Sequence, residues 1–369
     1  MDFPWLTLMG TAIAGALSGI GYRRAHRLPI PPHFQIGRSL PSLSIIVPAR
    51  NEATNLPRLL SSLRRLEYPG PMELWVVDDG STDGTGEIAR LWGAQVIRVE
   101  GPPAGWLGKP YALHQGALRA QGEWLLFTDA DTCHAPDSAA RVVGWALAQA
   151  LDGVTLFPAF EIRNALEAAV LAVAFAGWFA ALPDLQGIIN GQYLLIGRSA
   201  YEASGGFAAV RGDVLEDLAL GRRLQRLGFR IALADGRPLV RARMSRNLAH
   251  LYQAMARWSE GALDQPLSRR AMAVLLVAGM AGPMGLLIPG QRARTRWAFG
   301  ASWILAAIGL LPWALRMGSP GSALLAPLGA ALVAGAGTRG WLARRLGWDL
   351  KWKERRVYSR VYSKFPPWR

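Results

Sequence analysis

The stretch Trp124-Leu125-Leu126-Phe127-Thr128-Asp129-Ala130-Asp131 constrains the fold of this chain more than any other, because an apolar run ends abruptly in two carboxylates one residue apart. Such a run predicts a buried strand, and the acids then sit at its carboxyl end, where open α/β sheets place their ligand crevice. Two carboxylates crowded there repel unless positive charge stands between them. A divalent cation carrying an anionic diphosphate supplies that charge, and hard oxygen ligands suit Mg²⁺ or Mn²⁺. The competing reading is an Asp-rich turn after a strand.

The neighbouring chain repeats the pattern. Residues 43–47 are a short apolar, β-branched run closed by Pro48, and Asn51-Glu52 opens a helical stretch through Arg65. A second strand over 74–77 ends in Asp78-Asp79-Gly80-Ser81-Thr82-Asp83-Gly84; a third covers 93–99 and a fourth 124–127. Strands alternating with helices predict an α/β fold with a mostly parallel sheet covered by helices, and both acidic clusters at one end of it. Asp78 can accept a hydrogen bond from a base N–H or a ribose hydroxyl, or it can simply hold a capping turn. There is no Walker A sequence and no G-x-G-x-x-G after a strand.

Apolar residues make up 51% of the 369, and mean hydropathy is +0.15, high for a purely soluble protein. Residues 3–22 are almost uninterrupted apolar and small residues followed by Arg23, Arg24, His26 and Arg27. About twenty such residues span a bilayer. The charge follows the apolar core instead of preceding it, so 1–22 is expected to be a retained transmembrane anchor with its basic flank cytoplasmic. Residues 23–41 then form a proline-rich linker, and 42–265 a cytoplasmic domain holding the acidic clusters. Within that domain 165–182 is long and apolar, yet a single crossing there would put Glu216-Asp217, an acidic pair that opens an amphipathic helix, on the opposite side from Asp131, and the two could not share a site. It is expected to be an interfacial helix, with a buried core helix as the alternative. Farther on, 271–289 is expected to re-enter, broken near Gly282-Pro283, or else to cross. A transmembrane hairpin over 296–338 and a basic aromatic tail over 339–369 follow.

Re-entry keeps Arg292, Arg294, Arg296 and the tail cytoplasmic, with Trp341, Trp348, Trp352 and Tyr358 along the anionic leaflet. The net charge of +15 and pI near 10.9 call for an anionic partner. The basic residues cluster after apolar segments without a recognised nucleic-acid module, so the expected partner is the lipid bilayer and not nucleic acid. No obligatory protein partner is evident. The single Cys133 excludes an internal disulfide.

Pro48-Ala49-Arg50-Asn51-Glu52, then Val77-Asp78-Asp79-Gly80-Ser81-Thr82-Asp83, then Thr128-Asp129-Ala130-Asp131 resemble the successive motifs of family 2 glycosyltransferases of the A fold. Gly105-Trp106-Leu107-Gly108-Lys109-Pro110 is similar to an insertion in the membrane-bound branch that glycosylates carotenoids and in hopanoid-associated enzymes. The matches run from about residue 43 to 258. The resemblance implies the GT-A nucleotide-diphospho-sugar transferase fold. It further implies that Pro48, Arg50, Glu52, Asp78, Asp79, Lys109 and Asp129 surround a UDP-sugar, with Asp78 on the uracil and Lys109 on the nucleotide or diphosphate. Asp131 and Asp129 would hold Mn²⁺ or Mg²⁺. In Val214-Leu215-Glu216-Asp217 it assigns the general base to Asp217, beside Glu216, although acids at a helix start are also ordinary N-terminal residues.

Trp106, Gln192, Gly206, Gln253, Arg257 and Trp258 mark the acceptor or diphosphate region. Gln253 and Arg257 are four residues apart, one helical turn, whereas processive synthases carry Gln-x-x-Arg-Trp, which weakens a polymerising role. The expected activity is an inverting transfer of a sugar, glucose from UDP-glucose, to the hydroxyl of a membrane lipid, a carotenoid, at the cytoplasmic face. The alternatives are a polyprenyl-phosphate glycosyltransferase or polysaccharide synthase, and a non-catalytic nucleotide-binding membrane protein.

Overall fold

The computed structural model describes residues 3–34, 39–182, 185, 187–262, 266–346, 348, 350–352 and 355–357. Its first elements are α1 (Phe3–His26), β1 (Leu43–Ala49), α2 (Leu56–Leu63), β2 (Met72–Asp78), α3 (Thr85–Leu91), β3 (Gln95–Arg98), α4 (Gly108–Arg119) and β4 (Trp124–Thr128). Then come β5 (Thr132–His134), α5 (Ser138–Ala148), β6 (Gly153–Phe160), α6 (Ala165–Ala181), β7 (Tyr193–Gly197), α7 (Arg198–Ala203), α8 (Glu216–Arg226) and β8 (Ile231–Ala242). The last helices are α9 (Leu248–Ala262), α10 (Leu267–Ala281), α11 (Ala293–Arg316) and α12 (Ala326–Leu346). They fall into two compact units: an α/β unit containing Leu28–Phe160 and Leu185–Met244, and a helical unit of Met1–Arg27, Glu161–Asp184 and Ser245–Trp352.

The α/β unit is built on an eight-stranded sheet ordered β3-β2-β1-β4-β7-β6-β8-β5. Both faces of its centre are buried, which is why β1 and β4 read as mainly apolar runs, with Ser44 the one polar residue of β1. Ile45, Val47 and Leu126 join Leu56, Leu59, Leu60 and Leu63 of α2 in one core. Ile46, Leu125 and Phe127 point the other way and meet Ala112, Leu113 and Ala117 of α4.

The β3-β2-β1-β4 half is parallel, as the alternating pattern predicts. Beyond it the sheet is mixed, because β7 runs antiparallel to both β4 and β6. Helix α2 starts four residues later than expected. The backbone N–H groups of Asn51 and Ala53 are already taken by Ser81 Oγ and Asp83 Oδ2 at 3.0 Å each, and Asn51 adopts φ 51°. Those residues serve the loop after β1 and are unavailable to a helix.

In the helical unit, Trp5–His26, Leu267–Leu287, Ala293–Arg316 and Pro320–Leu346 are each long and apolar enough to cross a membrane. Helix α1 runs past the expected anchor end at Tyr22, through its basic flank, because Arg24 has a structural task. Its guanidinium donates to Phe179 O at 3.0 Å, to Ala180 O at 2.9 Å and to Leu182 O, closing the carboxyl end of α6. The other end of α6 is capped by side chains: Asn164 Oδ1 accepts from Glu167 N at 2.9 Å, and Glu167 Oε2 accepts from Arg163 N, one residue before the cap, at 3.0 Å.

Helix α6 is not the surface-lying helix expected of 165–182. Residues 167 to 173 are buried without interruption, on every face, against α1, α10 and α12. A helix apolar all round has no polar face to offer headgroups, and burial is the stable outcome.

The break expected near Gly282-Pro283 is present: α10 ends at Ala281 and a 3₁₀ turn covers Gly282–Leu287. It falls near the start of α1, however, since Gly279 packs on Gly10 and Ala14, and Gly282 on Thr7. The end of α10 therefore runs antiparallel to the first half of α1. Helix α11 returns beside α1, with Ser18 Oγ donating to Gly309 O at 2.7 Å and Trp313 Nε1 to Ser18 O at 3.1 Å. The segment that folds back lies after α11: Ser319 N donates to Ala314 O at 2.9 Å, and Leu324 O accepts from Trp303 Nε1 at 2.8 Å. Helix α12 extends to Leu346, so Arg339, Trp341, Arg344 and Arg345 belong to a helix and not to a tail. Tyr358 and the rest of 358–369 lie outside the described residues.

Candidate active site

Two helix starts and one strand end meet around a single ammonium group. Lys109 is the second residue of α4, just after Leu107, whose N–H is fixed to Arg211 O at 2.9 Å. Its Nζ lies 2.7 Å from Asp129 Oδ1, at the end of β4, and 3.2 Å from Glu216 Oε1, at the start of α8. Burial alone would lower the Lys109 pKa, but the charges of Asp129, Glu216 and Asp217 and the hydrogen bond to Asp129 outweigh it and hold it well above the usual lysine range.

Asp217 is the next residue of α8. Its Oδ2 accepts from Gly191 N–H at 2.9 Å and its Oδ1 from Leu218 N at 2.8 Å. An acid at a helix start needs no explanation beyond the dipole, but the bond from Gly191 on a separate loop fixes where this one points. That loop comes close: a Cβ on Gly191 would stand 3.0 Å from Asp217 Oδ2 and 3.2 Å from Lys109 Nζ.

Behind the carboxylates lies a buried polar cluster. Thr128 Oγ1 donates to Gln192 O at 2.9 Å, and Thr132 Oγ1 to Asp129 O at 2.8 Å. Both hydroxyls lie within 3.2 Å of His134 Nε2. Burial pushes the His134 pKa down to about 3, so the ring is neutral. Its sequence signal was faint, since Thr132 and His134 follow the acidic pair in a segment that carries no motif.

The loops after β1 and β2 are joined to each other. Asp79 N donates to Ala49 O at 2.8 Å, Arg50 Nη1 to Asp79 O at 2.7 Å, and Glu52 N to Thr85 Oγ1 at 2.9 Å. Pro48 stands opposite Val77 in the β1/β2 register. Asp78 is buried, its Oδ1 accepts from Ser81 N at 2.8 Å, and its Oδ2 lies 3.9 Å from Arg98; it holds a local turn and caps no helix, since α3 begins at Thr85 with Gly84 as its N-cap. Trp106 stacks on His114 with ring centroids 5.0 Å apart.

Gly206 is accounted for by packing: its φ is +49°, and a Cβ would run into the Tyr201 ring. Gln253, Arg257 and Trp258 all lie on α9 in the helical unit, where Trp258 packs near Phe175 at 6.2 Å. The structure thus brings Lys109, Asp129, Glu216 and Asp217 together within the α/β unit.

Among the described residues, no three His, Cys, Asp or Glu side chains are grouped to hold a metal ion. Asp129 and Asp131 are hard oxygen donors of the type Mg²⁺ and Mn²⁺ take one or two at a time, completing their shell with substrate phosphates and water.

A glycosyl transferase family 2 model matches residues 44–169, and a glycosyl transferase family group 2 model matches 124–343, more than half of the chain. The chain belongs to the family 2 glycosyltransferases. It is 28% identical over 255 residues to a 4,4'-diaponeurosporenoate glycosyltransferase of Staphylococcus aureus, covering 65% of this chain and 66% of that one. The namesake from Staphylococcus haemolyticus is 30% identical over 219 residues, covering 56% and 58%. The chain therefore spans less than two thirds of the length of these curated relatives.

A mannosyltransferase from Pyrobaculum calidifontis, solved with GDP-Man and Mn²⁺, superposes with a TM-score of 0.56 at 19% identity, over 92% of this chain and 99% of that one. The family 2 enzyme described here thus has the GT-A fold together with several apolar helices that could span a membrane.

Proposed function

We propose that this family 2 glycosyltransferase moves a hexosyl group from a UDP-sugar, glucose being the expected donor, to a carotenoid-like lipid dissolved in the membrane, with inversion at the anomeric carbon. The observation that carries the reading is Lys109 set among Asp129, Glu216 and Asp217. An ammonium held charged by its neighbours is pre-organised to meet a departing diphosphate, whose charge grows as the glycosidic bond breaks. Asp129 and Asp131 would hold a divalent cation, which adds positive charge at the same diphosphate. The joined loops carrying Pro48, Arg50, Glu52, Asp78 and Asp79 receive the nucleoside. Asp217, aimed by the Gly191 N–H, takes the acceptor proton as the sugar carbon gains oxocarbenium character, and one such displacement inverts the centre.

The lipid acceptor is supported by the relatives named for a carotenoid acid and by the four apolar helices. The basic residues Arg23, Arg24, His26 and Arg27 that follow the first apolar segment support a cytoplasmic catalytic face. The relatives' name supports a second reading for the acceptor atom, a carboxylate in place of a hydroxyl. A carboxylate is already ionised at neutral pH and needs no base. The test is UDP release by the protein in membranes with Mn²⁺, comparing a hydroxylated carotenoid, a carotenoid carboxylate, undecaprenyl phosphate and no acceptor. Release that requires either carotenoid supports the reading, and the choice between the two fixes the acceptor atom. Stimulation by undecaprenyl phosphate alone overturns it in favour of a polyprenyl-phosphate enzyme.

A further inference from the structure

The turn that carries Asp129 and Asp131 and the loop that aims Asp217 are tied together from behind, and a proton count shows how. Thr128 Oγ1 lies 2.9 Å from Gln192 O, and Thr132 Oγ1 lies 2.8 Å from Asp129 O. A carbonyl oxygen only accepts, so each hydroxyl commits its single proton to its own carbonyl. The two hydroxyl oxygens are nevertheless 2.9 Å apart, and neither has a proton left for the other. Both also face His134 Nε2, at 3.1 and 3.2 Å.

An Nε2–H shared between them relieves the clash of lone pairs, and a bare nitrogen there would worsen it. The count therefore assigns the neutral Nε2–H tautomer. The other ring nitrogen, Nδ1, is buried and has no hydrogen-bond partner among the described residues, as expected of the nitrogen without the proton. On the far side, Thr155 fastens the same loop: its hydroxyl donates to Tyr193 O at 2.8 Å and accepts from Asn190 N at 2.9 Å. Between these two fixings lies Gly191, whose N–H meets Asp217 Oδ2.

We propose that Thr128, Thr132 and His134 are positioning residues forming a two-sided clamp. Thr132 holds the carboxylate turn that faces the donor, Thr128 holds the loop that orients Asp217, and His134 supplies the proton that lets the two hydroxyls share one pocket. None of the three touches the reacting atoms. The catalytic consequence rests on the glycosyltransferase reading, whereas the clamp itself rests on the hydrogen bonds alone.

The two halves predict opposite phenotypes. In the detergent-solubilised full chain, Thr128→Val removes the bond to Gln192 O. Amide exchange over 190–193 rises about tenfold, UDP release slows about tenfold, and affinity for UDP with Mn²⁺ stays within about twofold. Thr132→Val does the reverse, speeding exchange over 129–132 and weakening UDP with Mn²⁺ about tenfold. Serine at either position restores wild-type behaviour. His134→Phe loosens both segments, and His134→Gln, whose amide N–H can serve the two oxygens, recovers part of the loss. Valine variants that leave both segments as protected as wild type, or that loosen the whole α/β unit evenly, overturn the clamp. A wild-type protein that binds no UDP overturns the nucleotide reading, while the exchange pattern still decides the clamp.

Discussion

Gly191 and Asp217 meet with no room for a side chain between them. The Gly191 N–H donates to Asp217 Oδ2 at 2.9 Å, and a Cβ on Gly191 would stand 3.0 Å from the same oxygen. Such a separation is tighter than nearly all real Cβ contacts. The loop before β7 and the first turn of α8 are therefore fitted to each other at the carboxylate assigned as the base.

Gly191→Ala tests that fit. The added methyl must push the Asp217 carboxylate, the Lys109 ammonium at 3.2 Å, or both. A displacement of this kind in a positioned catalytic group costs on the order of tenfold to a hundredfold in rate. UDP release falls by that factor, while the circular-dichroism melt stays close to wild type.

Lys109→Met leaves Asp129, Glu216 and Asp217 crowded without their cation, and Lys109→Arg puts a planar fork where a point charge fits. Both variants lose at least about a hundredfold in UDP release. Because the Lys109 pKa is raised in the folded protein, the interaction is fully present below the ordinary lysine value of 10.5 and is lost only as pH rises through the higher folded value. Deprotonation of Lys109 therefore adds no alkaline fall to the rate profile up to about pH 10, which a pH series of UDP release checks.

His134 gives the opposite sign. Its folded pKa of about 3 lies below the ordinary histidine value of 6.5, so the unfolded chain binds a proton that the folded chain refuses between those values. Stability from this residue is complete above pH 6.5 and falls as pH drops toward 3, with a limiting slope of about 1.4 kcal/mol per pH unit. Denaturation midpoints between pH 7 and 4 decline more steeply for wild type than for His134→Gln.

Arg24→Met strips the carbonyls of Phe179, Ala180 and Leu182 of their donor at the end of α6. A buried group left unsatisfied costs about 1–3 kcal/mol. The melting temperature falls, and donor affinity, which depends on the α/β unit, does not.

The parallel half of the sheet was legible because β1 and β4 are buried almost throughout and β1, β2 and β4 each end in a polar break that periodicity marks. Lys109, Asp129, Glu216 and Asp217 were marked one by one by their resemblance to family 2 motifs, but their meeting around one ammonium was not legible, because it depends on how three distant element ends pack. Two other kinds of feature escaped. The direction of β7 and the burial of α6 depend on where distant segments pack, and an apolar-all-round sequence such as 165–182 reads alike at a membrane surface and inside a bundle. The clamp escaped because Thr128, Thr132 and His134 act through backbone carbonyls of other segments, which leave no spacing in the sequence.

Asp217→Asn is the most direct test of the central claim, that this carboxylate takes the acceptor proton. The substitution keeps the size and an oxygen for the Gly191 N–H but removes the basicity. With saturating donor, Mn²⁺ and a hydroxylated lipid acceptor, the account predicts that UDP release falls at least about a thousandfold while affinity for UDP with Mn²⁺ is unchanged. Release near the wild-type rate with that acceptor would contradict it.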